Sequence, residues 1–281
     1  MSRVEEILAL VKHIPAFPKV AQQVMSIMDR EETTAKDLAE LIQYDQAITA
    51  NVLKICNAAY FGLPRKVSSL GEAVVVIGQD ILKDIIITSS SARFYKGTVG
   101  AGYQLGQGDL WKHSIACAIM AKLIAKRVKA LDPGDAFTAG LLHDIGKRIL
   151  SSFVADEFAL IIEKTEQGMA FSEAETSIIG MTHAELGGVI MDKWKFPEEI
   201  IAAVRNHHDE DVLAKDDLSV VVGLANSLVI SMGIGVGVDG LAVRMRGEKL
   251  IEMGLDEKNL DLLMADMVIE LEKAEDLLHI D

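Results

Sequence analysis

Cysteine is almost missing from this 281-residue chain: there are two, Cys56 and Cys117. Both sit in helix-like apolar patterns and not in a spaced framework, so no disulfide is expected, and the thiols read as buried and reduced in a cytoplasmic protein. Excess positive charge is also lacking. Lys and Arg number 28 against 42 Asp and Glu, a formal net charge of -14. Neither a phosphate backbone nor an anionic lipid surface gains from such a partner, so nucleic acid is not expected to bind. The N-terminal stretch MSRVEEILALVKHIP mixes acids into its apolar pattern and has no small-residue cleavage site, unlike a secretory signal. No internal repeat or low-complexity tract is evident. From Leu218 to Val238 charge is absent over a length close to that of a membrane span. Ser219, Asn226, Ser227 and Ser231 interrupt it, however, and Gly233, Gly235 and Gly237 break it before its end. A buried core helix followed by a glycine loop is expected, and no membrane span.

Half of the residues are hydrophobic, ample for a sizeable core. Their spacing is helical nearly throughout. Ser2 with Glu5 forms a capping-box pattern ahead of Val4, Ile7, Leu8 and Val11, giving a helix to about His13. After Pro15 and Pro18, Val20, Val24, Ile27 and Met28 repeat on one face. Thr34 with Asp37 opens a third helix to about Tyr44, and Asp45 caps a fourth to about Phe61, where Gly62 and Pro64 stop it. Two more helices are expected over 70–77 and 80–95, although the β-branched runs Val74 to Ile77 and Ile85 to Thr88 also permit short strands. Five glycines between Tyr95 and Asp109 mark a boundary, which places an N-terminal helical subdomain at 1–100 and a second at 101–281. In the second, a long helix runs from about Asp109 to Lys129. Asp132-Pro133 is an N-cap followed by a first-turn proline, and it starts the helix carrying HDIGK. Ser172 with Glu175 and Thr182 with Glu185 read as capping boxes, Pro197 starts the helix that ends at His207-His208, and a helix with acids on its outer face runs from about Asn259 to His279.

Five of the seven histidines form a series: His113, His143 beside Asp144, His183, and His207 beside His208. Adjacent residues on a helix point about 100° apart, an angle from which an imidazole and a carboxylate can both reach one ion beside the helix. Such donors suit Fe, Mn, Zn or Co better than Mg or Ca, which prefer all-oxygen shells. His183 with His207 and His208 could serve a second metal. Lys147, one turn beyond His143, is placed to neutralise a phosphate oxygen. A hydrogen-bonded core histidine is the ordinary reading of any single member, but it is harder to sustain for five together.

His113, the His143-Asp144 pair and Lys147 resemble the HD phosphohydrolase superfamily, whose helical fold binds metals through a histidine, an adjacent His-Asp and a later aspartate. With His183 and His207-His208 the set is similar to its dinuclear HD-GYP branch, whose members hydrolyse cyclic di-GMP. Two features depart from that pattern. In ANSLV the neutral Asn226 stands where the last aspartate is expected, and no Gly-Tyr-Pro element follows the paired histidines. The N-terminal motifs IPAFPKVAQQVMSIM, DLAELIQYDQAITANVLKICNAAYFG and VSSLGEAVVVIG, together with the HD half, resemble the HDOD family over about residues 14 to 210. Gln46 and Ala58 replace that family's more usual proline and serine. The resemblance implies an all-α, multi-helix HD-domain-like bundle in a bacterial cytoplasm, with a regulatory role.

The expectation is therefore a signal-transduction module with a retained metal site. It would hold one or two transition-metal ions, Fe or Mn foremost with Zn, Ni or Co also compatible, on His113, His143, Asp144, His183, His207 and His208. It would act by binding a signalling protein partner or a nucleotide-like ligand. The alternative is a metal-dependent phosphohydrolase or phosphodiesterase acting on a nucleotide-like phosphate ester, with Asp144 and Lys147 as its catalytic residues.

Overall fold

The computed structural model describes residues 2–28, 33–57, 66–95, 103, 105–128, 131–151, 157–209, 216–235, 237 and 247–274. Among these residues every regular element is a helix; the β-branched runs of the N-terminal half form no strand. The chain divides into two compact units, Met1–Pro15 with Phe94–Val268 and Ala16–Arg93 with Ile269–Asp281.

Local side-chain chemistry sets most of the helix starts. Helix α1 (Arg3–Val11) begins on the expected box, with Ser2 Oγ accepting from the Glu5 amide at 3.3 Å and Glu5 Oε2 accepting from the Ser2 amide at 2.7 Å. Helix α2 (Lys19–Met28) follows the two prolines. Thr34 and Asp37 cap α3 (Ala35–Ile42) reciprocally, and Asp45 Oδ1 accepts from the Ile48 amide to start α4 (Gln46–Cys56). Each such cap is worth about 1 kcal/mol. Helix α4 ends at Asn57, whose carboxamide joins both the N–H and the carbonyl of Val67; Gly62 and Pro64, its expected stops, lie outside the described residues. Cys56 is fully buried, and burial pushes its thiol up to about 11. Helix α5 (Leu70–Tyr95) is two helical segments joined at Gly78, whose φ of 76° a residue with a Cβ rarely adopts. That is the break expected between residues 77 and 80.

The unit containing the histidines is built on α6 (Asp109–Val128), which is buried along nearly its whole length. Helix α7 (Pro133–Leu142) starts on the Asp132 cap, and α8 (Ile145–Leu150) follows almost at once. Then come α9 (Phe158–Glu166), α10 (Phe171–Ile179), α11 (His183–Lys193) and α12 (Glu198–Asn206). Helix α13 (Asp217–Ser231) is the uncharged stretch; it is buried from Leu218 to Ala225 and ends before Gly233, at φ 72°. No helix among the described residues is long and apolar enough to cross a membrane. Helices α14 (Gly247–Glu252) and α15 (Glu257–Lys273) complete the described chain. His279 lies outside it.

Two glycines decide how closely the site helices meet. A Cβ on Gly140 of α7 would stand 2.7 Å from the Cys117 carbonyl of α6, and one on Gly146 of α8 would stand 1.9 Å from the His183 carbonyl of α11. Only a residue without a side chain allows either approach.

Candidate metal centre

His143 and Asp144 do not lie within one helix, as the reading of HDIGK supposed. His143 is the C-cap of α7 and Asp144 the N-cap of α8, with φ -99° and ψ 10°. The backbone turns here because Gly146 must pack onto the start of α11, and the turn aims both side chains inward. Each is fully buried.

Three imidazoles are oriented in the same way. Nδ1 of His143 faces the Gly140 carbonyl at 2.8 Å, Nδ1 of His207 faces the Val204 carbonyl at 2.7 Å, and Nδ1 of His183 faces Glu175 Oε2 at 2.7 Å. Carbonyls and carboxylates only accept, so Nδ1 of each ring carries a proton and Nε2 is the atom turned inward. All three Nε2 atoms, with Oδ1 of Asp144, are buried without a hydrogen-bond partner. They converge on the Asp144 carboxylate, with Nε2 of His143 3.2 Å from Oδ2 and those of His183 and His207 3.4 and 3.9 Å from Oδ1. Ligands at about 2.0–2.2 Å from one tetrahedral ion stand roughly 3.5 Å apart. An orphaned buried polar atom costs about 1–3 kcal/mol, so four together are the mark of a site built for something that fills it. The cluster fits a metal ion.

The electrostatics agree with that fit. Burial holds His207 well below its ordinary value, and neighbouring His208, His143 and His183 add to the effect, so it stays unprotonated and able to bind a metal ion. His208, whose ring lies tilted against that of His207 with centroids 4.1 Å apart, is lowered in the same direction, again by burial first. Burial alone would raise the Asp144 carboxyl, but His143, Lys147 and His183 outweigh it and keep the group ionised.

Two of the predicted residues are engaged elsewhere. Lys147, only 1 % exposed, has its ammonium 2.6 Å from Asp144 Oδ2. His113 stands 3.6 Å from the same oxygen, but its Nδ1 faces the Ile234 carbonyl at 3.1 Å and its Nε2 meets the Asn226 carboxamide at 3.0 Å. Both ring nitrogens of His113 therefore face oxygen acceptors, the Ile234 carbonyl and Asn226 Oδ1. Gly235, at φ 59°, brings the chain after α13 this close: a Cβ there would lie 2.9 Å from His113 Cβ. A crevice lined by Leu105, Leu110, Ile230 and Gly235 reaches His113, Asp144 and Lys147. His183, His207 and His208 do offer ligand atoms within 4.8 Å of one another.

Glu175 and Tyr103 were missed. Ser172 and Glu175 were expected to form a capping box, but α10 starts two residues earlier, with Ala170 as its N-cap and Glu173 Oε2 accepting from the Ala170 amide at 3.2 Å. Glu175 is instead fully buried. It accepts from the Tyr103 hydroxyl at 2.5 Å, from the His183 amide at 3.1 Å and from His183 Nδ1. A carboxylate behind a histidine fixes its tautomer and strengthens it as a ligand. The signal was present in the spacing: Glu175 lies on the apolar side of α10, one turn beyond Phe171. Glu185 closes the expected capping box of α11 with Thr182.

An all-helical bundle with a buried histidine and aspartate cluster defines a protein of the HD type. The HDOD domain profile matches residues 14–210, and the chain belongs to the HDOD domain family. It is similar in structure to an HDOD domain protein of unknown function from Geobacter sulfurreducens, at 26% identity and a TM-score of 0.76, covering 98% of this chain and 99% of that one. In sequence it is 25% identical over 202 residues to an uncharacterized protein of Treponema pallidum, covering 71% of this chain and 38% of that one. It is also 27% identical over 163 residues to ribonuclease Y of Mesoplasma florum, covering 58% and 27% respectively. The chain thus spans well under half the length of these curated relatives.

Proposed function

We propose that this chain is a regulatory HDOD module that holds a transition metal on His143, Asp144, His183 and His207 and acts by binding a partner or small ligand. The observation that carries this reading is the set of four buried, unpartnered donor atoms around Asp144. The metal would fill the gap between the four donors and tie α7, α8, α11 and α12 together, and it would supply Lewis acidity to any oxygen that reached it. Against turnover stand Lys147 and Asn226. The lysine already neutralises a ligand carboxylate, which leaves less of its charge for a phosphate, and a neutral carboxamide is a much poorer metal ligand than the aspartate of the related pattern.

A second reading, hydrolysis of a nucleotide-like phosphate ester, is favoured by one feature: Asp144 and Lys147 line a narrow crevice, which would have to widen to admit a ligand because both residues are buried. In that case Lys147 would hold a phosphate oxygen. Metal quantification after anaerobic reconstitution with Fe(II), Mn(II) or Zn(II), paired with an aryl phosphodiester and cyclic dinucleotide assay, separates the two. About one metal per chain without turnover is expected. Sustained hydrolysis abolished by Asp144→Ala would establish the second reading, and no bound metal would remove both.

A further inference from the structure

Cys117 lies one helical turn beyond His113 on α6, and its Sγ is 3.4 Å from His113 Nε2. These two atoms and a ring nitrogen of His143 lie within 4.8 Å of one another. Cys117 and His143 are fully buried and His113 nearly so. Nδ1 of His143 is held by the Gly140 carbonyl, while its Nε2 has no hydrogen-bond partner. A buried, unpartnered imidazole nitrogen therefore shares a small volume with a thiol and a second imidazole. Zn–S and Zn–N bonds of about 2.3 and 2.0–2.1 Å at a tetrahedral angle hold sulfur and nitrogen about 3.5 Å apart, close to what is seen. The approach has a cause in the fold: Gly140 lets α7 ride onto α6 at the level of Cys117, and His143 follows three residues later.

We propose that Cys117 is a thiolate ligand of an ion held with His113 and His143, a seat alternative to the one on Asp144, His183 and His207 because Nε2 of His143 serves one ion at a time, and that it supplies the anionic donor that Asn226 does not. The proposal rests on the metal-binding reading above. On binding, the S–H bond breaks, its electron pair stays on sulfur and is donated to the ion, and the proton leaves to solvent. The Asn226 carboxamide yields its place at His113 Nε2, a single neutral hydrogen bond with a net worth of about 1 kcal/mol. A soft sulfur donor biases this subsite towards Zn(II) or Co(II) and away from Mn(II).

The test is anaerobic titration of Co(II) into the full chain, with near-ultraviolet absorption recorded and bound cobalt quantified after gel filtration. The wild type and Cys56→Ala, altered at the other cysteine, are expected to show a thiolate-to-cobalt charge-transfer band. Cys117→Ala loses the band while still binding cobalt through His143, Asp144, His183 and His207. Cys117→Ser, nearly unchanged in volume, gives the same reading where the alanine variant does not fold. Bound cobalt without the band in the wild type, or a band that survives in Cys117→Ala, overturns ligation by Cys117 and leaves the metal-binding reading intact. No bound cobalt at all overturns both.

Discussion

Replacing Glu175 separates the two duties of this buried carboxylate, holding three donors and supplying a charged partner to His183. Its side chain accepts hydrogen bonds from the Tyr103 hydroxyl, the His183 amide and His183 Nδ1, all away from solvent. Glu175→Ala leaves three buried donors without an acceptor, at about 1–3 kcal/mol each. Water entering the vacated space recovers part of this, so a loss of about 4 kcal/mol is expected. At this chain length that is a fall in Tm on the order of 10 °C. Glu175→Gln behaves differently. The amide oxygen can still accept from His183, and the amide N–H can donate to a rotated Tyr103 hydroxyl, so without metal the melting point should stay within about 3 °C of wild type. What glutamine removes is the charge that makes His183 a stronger ligand, and loss of such a partner weakens metal binding about 10–100-fold. Thermal melts of metal-free protein, combined with titration calorimetry of Zn(II), measure both effects. The reasoning is refuted by an alanine variant that melts within about 2 °C of wild type, or by a glutamine variant that binds metal as tightly as the parent.

Asp144→Asn should cost about 3–5 kcal/mol, because it removes the carboxylate 2.6 Å from a buried ammonium; adding Lys147→Met should restore most of that stability in chemical denaturation without restoring metal binding. A double variant no more stable than Asp144→Asn would show that the ion pair is not the cause. Asn226→Asp places a carboxylate against His113 and is expected to raise bound metal from about one ion per chain towards two by elemental analysis; an unchanged stoichiometry would count against Asn226 as the missing ligand position. Stability should also depend on pH in a defined window. His207 is held neutral in the folded state but titrates near 6.5 when unfolded, so the unfolded chain binds the extra proton. The stabilisation is therefore complete above about pH 6.5 and is lost as pH falls, by about 1.4 kcal/mol per unit from His207 alone, with His208 acting in the same direction. Denaturation midpoints of metal-free wild type and His207→Gln between pH 7 and 5 test this, and equal slopes for the two would refute it.

Much of the fold was legible before any coordinates, because its signals are local. A capping box needs residues only three apart, so Ser2 with Glu5, Thr34 with Asp37, and Thr182 with Glu185 specify helix starts wherever the helix later packs. The same holds for Asp132 ahead of Pro133, for the break at Gly78, and for the uncharged stretch that became α13. The histidine series was equally visible, since residue type and order alone point to metal ligation. Sequence did not determine which of these residues stay available. Lys147 is three residues from Asp144, yet only burial of both turns proximity into an ion pair. His113 meets Asn226 from 113 positions away, and Tyr103 meets Glu175 across 72. The choice between Glu173 and Glu175 as the cap of α10 was decided by which of them tertiary packing enclosed. Local hydrogen bonds are specified by spacing, whereas the availability of a ligand depends on desolvation and on partners brought together only when the helices pack.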